Sequence, residues 1–206
     1  KRLIVLLLLI AGIQHGRAQS HQWAKSIRTR IASSMAFSLT TDSKKNTYLV
    51  GEFYDSLYID SQIISLGITP SSPDAYFAKL NSNGKLKWCK ILFTNNYGLM
   101  LRHVETISDN KILVYGYFTS NKLKFSSRDS LINTGGGNMF TGFAAFYDSS
   151  GNFINVVKTY SGINYGSFPT SKYNFGEVSK DKSGCIYLKF YKYQLPGQIY
   201  YKGGSI

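Results

Sequence analysis

The amino-acid sequence predicts an all-β protein made of tandem antiparallel units, and its composition, turns and internal repetition each indicate this. The 206 residues include 19 Gly, 16 Tyr and 13 Phe, while only 17% are charged. Glycine suits tight turns, and aromatic residues suit strands. An apolar fraction of 43% excludes a disordered chain. Two Cys exclude both a disulfide-stapled scaffold and a four-Cys zinc site.

A repeat of about 65 residues runs through the chain. Three pairs of landmark residues are each 65 positions apart: Trp23 and Trp88, Met35 and Met100, Gly51 and Gly116. The segment Ala78–Trp88 matches Ala145–Asn155 at a spacing of 67, and Asp181–Tyr191 resembles Asp42–Phe53. Such self-similarity is the signature of repeat architectures. The expected units are about 23–87, 88–154 and a partial unit at 155–206.

Each unit is predicted to contain several short strands joined by turns. In the first unit they are Met35–Asp42, Thr47–Ile59, Asp74–Leu80 and Lys85–Phe93. The four residues NSNG at 81–84, and DSSG at the same place in the second unit, suit a hairpin turn whose last residue has positive φ. The segment Gly162–Asn174 is predicted to be a long surface loop.

The strand Lys85–Phe93 shows an imperfect alternation. Side chains alternate between the two faces of a strand, which places Leu86, Trp88, Lys90 and Leu92 on one face. Lys90 breaks the apolar pattern of that face. We therefore expect this strand to twist or to lie at the edge of its sheet.

Residues 1–18 are predicted to be a secretory signal peptide, with 19–206 as the repeat region. Lys1 and Arg2 precede an 11-residue apolar run, too short to span a membrane, and small residues at Gly16 and Ala18 suit cleavage after Ala18. Cleavage removes three cations, so the net charge becomes 13 − 3 = +10. No second hydrophobic segment follows, and we expect a product that is secreted or held at the bacterial cell surface.

The stretch DAYFAKLNSNGKLKW at 74–88 resembles the secreted bacterial β-propeller repeat known as SBBP. That repeat has an Asp, an aromatic residue, Lys-Leu, an Asn/Asp-x-x-Gly turn and then a Trp. DSKKNTYLVGEF at 42–53 is similar to its other half, and the resemblance covers roughly residues 20–206. It implies β-propeller blades.

This sequence departs from the SBBP pattern at several positions. Phe146 replaces the Lys79 of the first unit, Asn155 replaces Trp88, and Lys189 replaces Gly51. The units also exceed the roughly 40–50 residues of a common blade, which leaves a β-sandwich or an open solenoid as alternatives. A closed propeller needs at least about four blades. Two complete units and one partial unit therefore suggest a fragment of a longer propeller.

No catalytic residue is predicted. His15 and His21 lie in or beside the signal segment, so His103 is the one histidine left for chemistry. It shares a strand face with Glu105, which we interpret as a structural or surface pair. The sequence contains neither G-x-S-x-G nor H-E-x-x-H. Eleven acids neither reveal nor exclude the carboxylate pair of a glycosidase.

No metal or cofactor is predicted either. The turns NSNG, DSSG and DKSG contain at most one acid each, too few for calcium, and are interpreted as hairpin turns. The run Thr134–Gly142 lacks the GK[ST] of a phosphate loop and is predicted to be a flexible loop. Cys89 and Cys185 lie in predicted strands and are expected to be separate, inert thiols.

The positive charge and one aromatic segment point to a partner. A secreted domain of charge +10 attracts anionic glycans or another anionic envelope surface, whereas no motif supports specific nucleic-acid binding. In Lys189–Gly203 aromatic residues alternate with Lys and Gln. These rings either stack on sugars or form strand core.

Three functions fit these observations. The leading hypothesis is a secreted, non-catalytic, propeller-like protein that binds or scaffolds at the bacterial cell surface, with the loops Thr134–Gly142 and Gly162–Asn174 as its contact surface. The alternatives are a glycan-active enzyme on a propeller scaffold and a structural spacer for a domain downstream.

Overall fold

The computed structural model describes residues 23–30, 34–66, 73–92, 94, 98–133, 139–163, 173–181, 186–192 and 198–202. These residues form sixteen strands and no helix, which confirms the all-β prediction. In chain order the strands are β1 Ile27–Arg28, β2 Ser34–Thr41, β3 Thr47–Phe53, β4 Ser56–Ile59, β5 Gln62–Leu66, β6 Asp74–Leu80, β7 Leu86–Leu92, β8 Leu99–Ser108, β9 Lys111–Phe118, β10 Lys122–Lys124, β11 Ser130–Ile132, β12 Met139–Tyr147, β13 Phe153–Ile163, β14 Tyr173–Lys180, β15 Ile186–Lys192 and β16 Gln198–Lys202.

Two four-stranded antiparallel sheets have the same strand order. The first is β2-β3-β6-β7 and the second is β8-β9-β12-β13, so each sheet follows the order of the chain. In both sheets a small hairpin, β4–β5 or β10–β11, lies between the second and third strands, and β1 pairs with β4. A third sheet contains β14-β15-β16. In the described part of the chain none of these sheets closes on itself.

Most of the core lies between the first two sheets. Buried residues of β3, β6, β8, β9 and β12 form one apolar cluster. Phe77 lies at its centre, with ring centroids 4.8 Å from Trp88 and 5.2 Å from Tyr147. Burial of each such side chain contributes about 1.5–3 kcal/mol, so this interface is the main source of stability for the two sheets.

The Met and Gly landmarks mark a close approach of two strands. Gly51 pairs with β2 and Gly116 pairs with β8. A Cβ added at Gly51 would lie 2.0 Å from the carbonyl oxygen of Met35, and one at Gly116 would lie 2.3 Å from that of Met100. Both strand pairs therefore require glycine at this position, because any other side chain would collide with the facing backbone.

The Trp landmarks also make matching contacts. The indole Nε1 of Trp23 donates to the carbonyl oxygen of Ser82 at 3.0 Å, and that of Trp88 donates to the carbonyl oxygen of Ser149 at 3.3 Å. Each ring also lies against the glycine of the same turn: Gly84 for Trp23 and Gly151 for Trp88. Each tryptophan thus covers a hairpin turn 59 or 61 residues further along the chain.

The two hairpin turns have the predicted geometry. The N–H of Gly84 donates to the carbonyl of Asn81 at 2.8 Å, and that of Gly151 donates to the carbonyl of Asp148 at 2.9 Å. Both glycines have positive φ, +73° and +84°. The first side chain of each turn also accepts backbone N–H groups of that turn, as Asn and Asp do when they initiate turns.

The sequence predicted that this strand twists or lies at a sheet edge, and β7 is indeed an edge strand. The faces on which its side chains lie differ from the prediction. Trp88 pairs with Lys79 whereas Leu86 pairs with Leu80, so Lys87 is an extra, bulged residue. The bulge moves Leu86 to the opposite face, where it packs with the cluster of Leu49 and neighbouring residues. Trp88 and Leu92 stay with the main core. A β-bulge of this kind resets strict alternation.

Both predicted loops are shorter than expected. Strand β13 continues to Ile163 and β14 begins at Tyr173, so the ends of the Gly162–Asn174 loop are strand. Strand β12 begins at Met139, inside the predicted Thr134–Gly142 loop. Hydrogen bonding of β12 to both β9 and β13 holds these residues in a strand despite the glycines among them. Positions 134–138 and 164–172 lie outside the described residues, as does the predicted signal segment 1–18.

Candidate functional site

His103 and Glu105 lie on one face of β8, as predicted. The His103 Nε2 is 3.6 Å from the Glu105 Oε2, and the His103 Nδ1 is 3.3 Å from the hydroxyl of Ser38 on β2. Burial lowers the pKa of His103, and the adjacent Glu105 carboxylate acts in the opposite direction. The three side chains thus form a chain of contacts between the edge strands of two sheets.

The hydroxyl side chains of β2 at this contact bind the backbone edge of β8. Their role is structural, and they do not activate a nucleophile. The Ser38 hydroxyl accepts the backbone N–H of Val104 at 3.2 Å. Two positions further along β2, the Thr40 hydroxyl accepts the N–H of Thr106 at 3.4 Å. These are N–H groups of β8, whose other edge pairs with β9. Side-chain oxygens of β2 therefore accept hydrogen bonds from backbone N–H groups at the unpaired edge of the second sheet. Such backbone groups need hydrogen-bond partners wherever they are buried.

A basic cluster lies at the ends of the strands that carry the short turns. We use the term turn-end cluster for Lys44, Lys79 and Lys87. The Lys79 ammonium donates to the carbonyl of Ser149 at 2.8 Å and lies 5.0 Å from the Tyr48 ring. Burial lowers the pKa of Lys79, with Asp42 opposing, and the charges of Lys44 and Lys87 lower it further. The charges of Lys44 and Lys87 are therefore close enough to Lys79 to act on its ammonium group.

Two of the acids near the turn-end cluster, Asp42 and Asp148, accept hydrogen bonds within their own turns. Asp42 accepts the N–H of Asn46 at 2.8 Å and its side-chain amide at 2.7 Å. Asp148 accepts the same pair of groups from Asn152, at 2.8 and 2.9 Å. Burial raises the pKa of both carboxyls, but these hydrogen bonds outweigh it and the net pKa is lowered. Among the described residues no lysine of the cluster forms an ion pair.

A second polar group lies at the opposite ends of the strands, where sequence reasoning identified nothing. Glu52 of β3 is 5% exposed, and its Oε2 has no hydrogen-bond partner among the described residues. Burial raises the pKa of Glu52, with the positive charge of Arg102 opposing. The only sign of this group in the sequence is the charge of Glu52 within the strand TYLVGEF. Tyr117 occupies the same position in the second unit.

The remaining predictions about thiols and metals are as follows. Cys89 is a free thiol, and burial raises its pKa to about 12, as expected for an inert cysteine. Cys185 lies outside the described residues.

In the described part of the chain no three His, Cys, Asp or Glu side chains form a group that could hold a metal ion. The segment Lys189–Gly203 contributes to β15 and β16, but its side chains are not among those described.

No protein-family model matches the chain, and a search of curated proteins finds no significant match. No helix among the described residues is long and apolar enough to cross a membrane.

Proposed function

We propose that this chain is a secreted, non-catalytic, β-propeller-like repeat protein that binds anionic glycans at the bacterial cell surface. The observation that carries the proposal is the turn-end cluster, Lys44, Lys79 and Lys87, whose ammonium groups form no ion pair in the described residues. Cleavage after Ala18 would leave a charge of 13 − 3 = +10 on the mature chain. A surplus of this sign attracts polyanions over long range.

Repeated contacts support the propeller-like part of the proposal. The sheets share one strand order, and each of the first two requires a glycine beneath a methionine carbonyl. Trp23 and Trp88 cover equivalent turns of successive sheets. The edge strands β2 and β8 contact each other through Ser38 and Thr40. Sheets that follow the chain in order and meet at their first strands are the arrangement expected of blades.

The position of the cluster supports an electrostatic mode of binding. Lys44 and Lys87 are exposed, whereas Lys79 is partly buried and held by the carbonyl of Ser149. The nearby carboxylates Asp42 and Asp148 stay ionised, because hydrogen bonds from their own turns lower the pKa of each, and their repulsion of an incoming anion is limited only by salt screening. A linear polyanion can contact the exposed Lys44 and Lys87 without a shaped pocket.

Binding to polygalacturonate, with neutral dextran as the control polymer, tests this function. Each lysine near an anionic surface contributes about 1 kcal/mol. The double variant Lys44→Ala, Lys87→Ala should therefore weaken binding about 25-fold. The matched control is Lys122→Ala, Lys124→Ala, which removes two exposed lysines of β10 at the other end of the strands. Affinity should also fall steeply as salt is raised.

Two results would contradict the proposal. Equal losses in the two double variants would mean that net charge, and not the turn-end cluster, governs the interaction. Binding to polygalacturonate that is absent, or that is matched by dextran, would remove the electrostatic function altogether.

A further inference from the structure

Residues 23–26 occupy the place of a fourth strand that has no sheet of its own in the described part of the chain. Trp23 covers the turn of the first sheet as Trp88, on the fourth strand of that sheet, covers the turn of the second. Strand β7, which carries Trp88, pairs with β6 along its length. By contrast, residues 23–26 pair with no strand among the described residues, and pairing begins only at Ile27.

The open edge of residues 23–26 faces away from the small hairpin. The carbonyl of Ser26 accepts the N–H of Asp60 at 2.9 Å, so the backbone groups of Ser26 point toward β4. Successive residues of an extended strand direct their backbone groups to opposite edges, which aims the N–H and carbonyl of Lys25 at the open edge. An ion pair between Lys25 and Asp60 also fixes the segment on the first sheet, while Ala24 and Ser26 are exposed.

Strand β16 of the third sheet corresponds to β6 of the first. Lys202 of β16 pairs with Tyr187. Lys79 of β6 pairs in the same way with Tyr48. Each tyrosine hydroxyl donates to an aspartate six residues earlier in the chain, at 2.9 Å in the third sheet and 3.2 Å in the first. The register of the third sheet therefore repeats that of the first as far as its third strand.

The outer edge of β16 is complementary to residues 23–26. In the first sheet β7 covers the outer edge of β6, with Trp88 opposite Lys79. In the described part of the chain β16 pairs only with β15. An exposed strand edge is a template for pairing with another chain. One sheet thus has an edge without a fourth strand, and residues 23–26 are a fourth strand without a sheet.

The first sheet also has an uncovered face at a position that the repeat buries. Leu39 of β2 pairs with Leu49, two residues before the landmark glycine. Val104 of β8 pairs with Val114, again two residues before the glycine. Val104 is fully buried in the core against the first sheet, whereas Leu39 is 68% exposed. Contacts of β2 with β8 and of β8 with β14 link the sheets in chain order, which leaves the far side of the third sheet to cover Leu39.

We propose that residues 23–26 of one copy of this chain form the fourth strand of the third sheet in a second copy. The register of β6 and β7 then places Trp23 opposite Lys202, and Ala24 opposite Tyr201, of the second copy. The second copy returns the same contact, so the interface is twofold and closed. Three main sheets are fewer than the roughly four that a closed propeller needs, whereas two copies together supply six.

This inference rests on the propeller-like arrangement proposed above and is independent of glycan binding. A dimer that does not bind polygalacturonate would contradict only the proposed glycan function. A monomer that binds polygalacturonate would overturn only the dimer. The double variant Lys44→Ala, Lys87→Ala should form the dimer as the unchanged protein does, because both lysines lie outside residues 23–26 and β16.

Sedimentation velocity measures the assembly directly, and the unchanged protein should sediment as a dimer. Lys25→Pro removes the N–H that faces the open edge, and proline is not tolerated where that N–H must pair. The dissociation constant of the dimer should rise about a hundredfold, about tenfold for each of the two equal contacts. Lys25→Ala is the matched control, because it also loses the ion pair with Asp60 but keeps the backbone N–H.

A cysteine pair tests the register. In a Cys89→Ser, Cys185→Ser background, Ala24→Cys with Tyr201→Cys places two thiols on opposite residues of antiparallel strands, within reach of a disulfide. This pair should link two copies on a non-reducing gel, and the off-register pair Ala24→Cys with Ile199→Cys should link far less. The proposal is overturned if the unchanged protein sediments as a monomer or as a larger assembly, if the disulfide forms within one chain, or if the first pair links no better than the second.

Discussion

Replacing Gly51 by alanine is expected to destabilise the protein by about 3–5 kcal/mol. The added Cβ would lie 2.0 Å from the Met35 carbonyl oxygen, whereas real Cβ atoms essentially never approach closer than 3.0 Å. Strands β2 and β3 must then separate locally by about 3.0 − 2.0 = 1.0 Å. Loss of about two ladder hydrogen bonds costs about 2 kcal/mol, and overpacking adds about 1–3 kcal/mol.

Urea unfolding followed by tryptophan fluorescence measures this effect, because Trp23 and Trp88 both contact sheet turns. The Gly116→Ala variant is the matched comparison. There the contact with the Met100 carbonyl is 2.3 Å and the nearest side-chain atom is 3.0 Å away, so the cost should be somewhat smaller. Both variants should keep the m-value of the unchanged protein if unfolding stays two-state.

A double variant removes one of the three close contacts that an alanine at position 51 would make. The Tyr76 hydroxyl also lies 2.5 Å from the added Cβ, and Tyr76→Phe removes it while leaving the Met35 carbonyl and a Tyr76 ring carbon at 2.7 Å in place. The combination Gly51→Ala, Tyr76→Phe should therefore recover only a small part of the lost stability. Full recovery, or a cost below about 1 kcal/mol for Gly51→Ala alone, would refute the argument that the two backbones are in forced contact.

Two further predictions follow from buried ionisable groups. The folded state raises the pKa of Glu52, so its contribution to stability falls as pH rises above the ordinary value of about 4.5. Glu52→Gln should then stabilise the protein at neutral pH, with the gain disappearing below that value in pH-dependent urea titrations; a gain that grows at acid pH would contradict this. The Cys89 thiol has its pKa raised to about 12. In a Cys185→Ser background it should react with a disulfide reagent at pH 8 about a thousandfold more slowly than a free thiol, whereas a rate near that of free cysteine would mean an exposed thiolate.

Much of the scaffold was predictable because its determinants are local or repeated. Gly84 and Gly151 each end an Asn/Asp-x-x-Gly turn, and that pattern predicts their positive φ from the sequence alone. The Trp, Met and Gly landmarks recur because each makes the same contact with a neighbouring strand or turn. The face of Leu86 could not be predicted, because one bulged residue in β7 reverses it without any change in composition.

The proximity of Glu52 and Arg102 was not predictable, because it depends on how strands of two different sheets lie side by side. Glu52 belongs to a strand of the first sheet and Arg102 to one of the second, 50 positions away. In the sequence alone, Glu52 and Arg102 each look like an ordinary charged residue of a strand. Only the bulges in β2 and β8, which the register reveals, place the Arg102 guanidinium against Phe37.

Several departures from the repeat lie beside the contact between β2 and β8. At matched positions of the first two sheets, Phe37 becomes Arg102, Ser38 becomes His103, Thr40 becomes Glu105 and Glu52 becomes Tyr117. All of these substitutions fall on the first two strands of each sheet, next to the contact between β2 and β8. The core residues between the sheets remain apolar. The repeat also changes away from this junction, because Phe146 replaces Lys79 on the third strand of the sheet and Asn155 replaces Trp88 on the fourth. The apolar core between the sheets is therefore repeated more faithfully than the polar side chains around it.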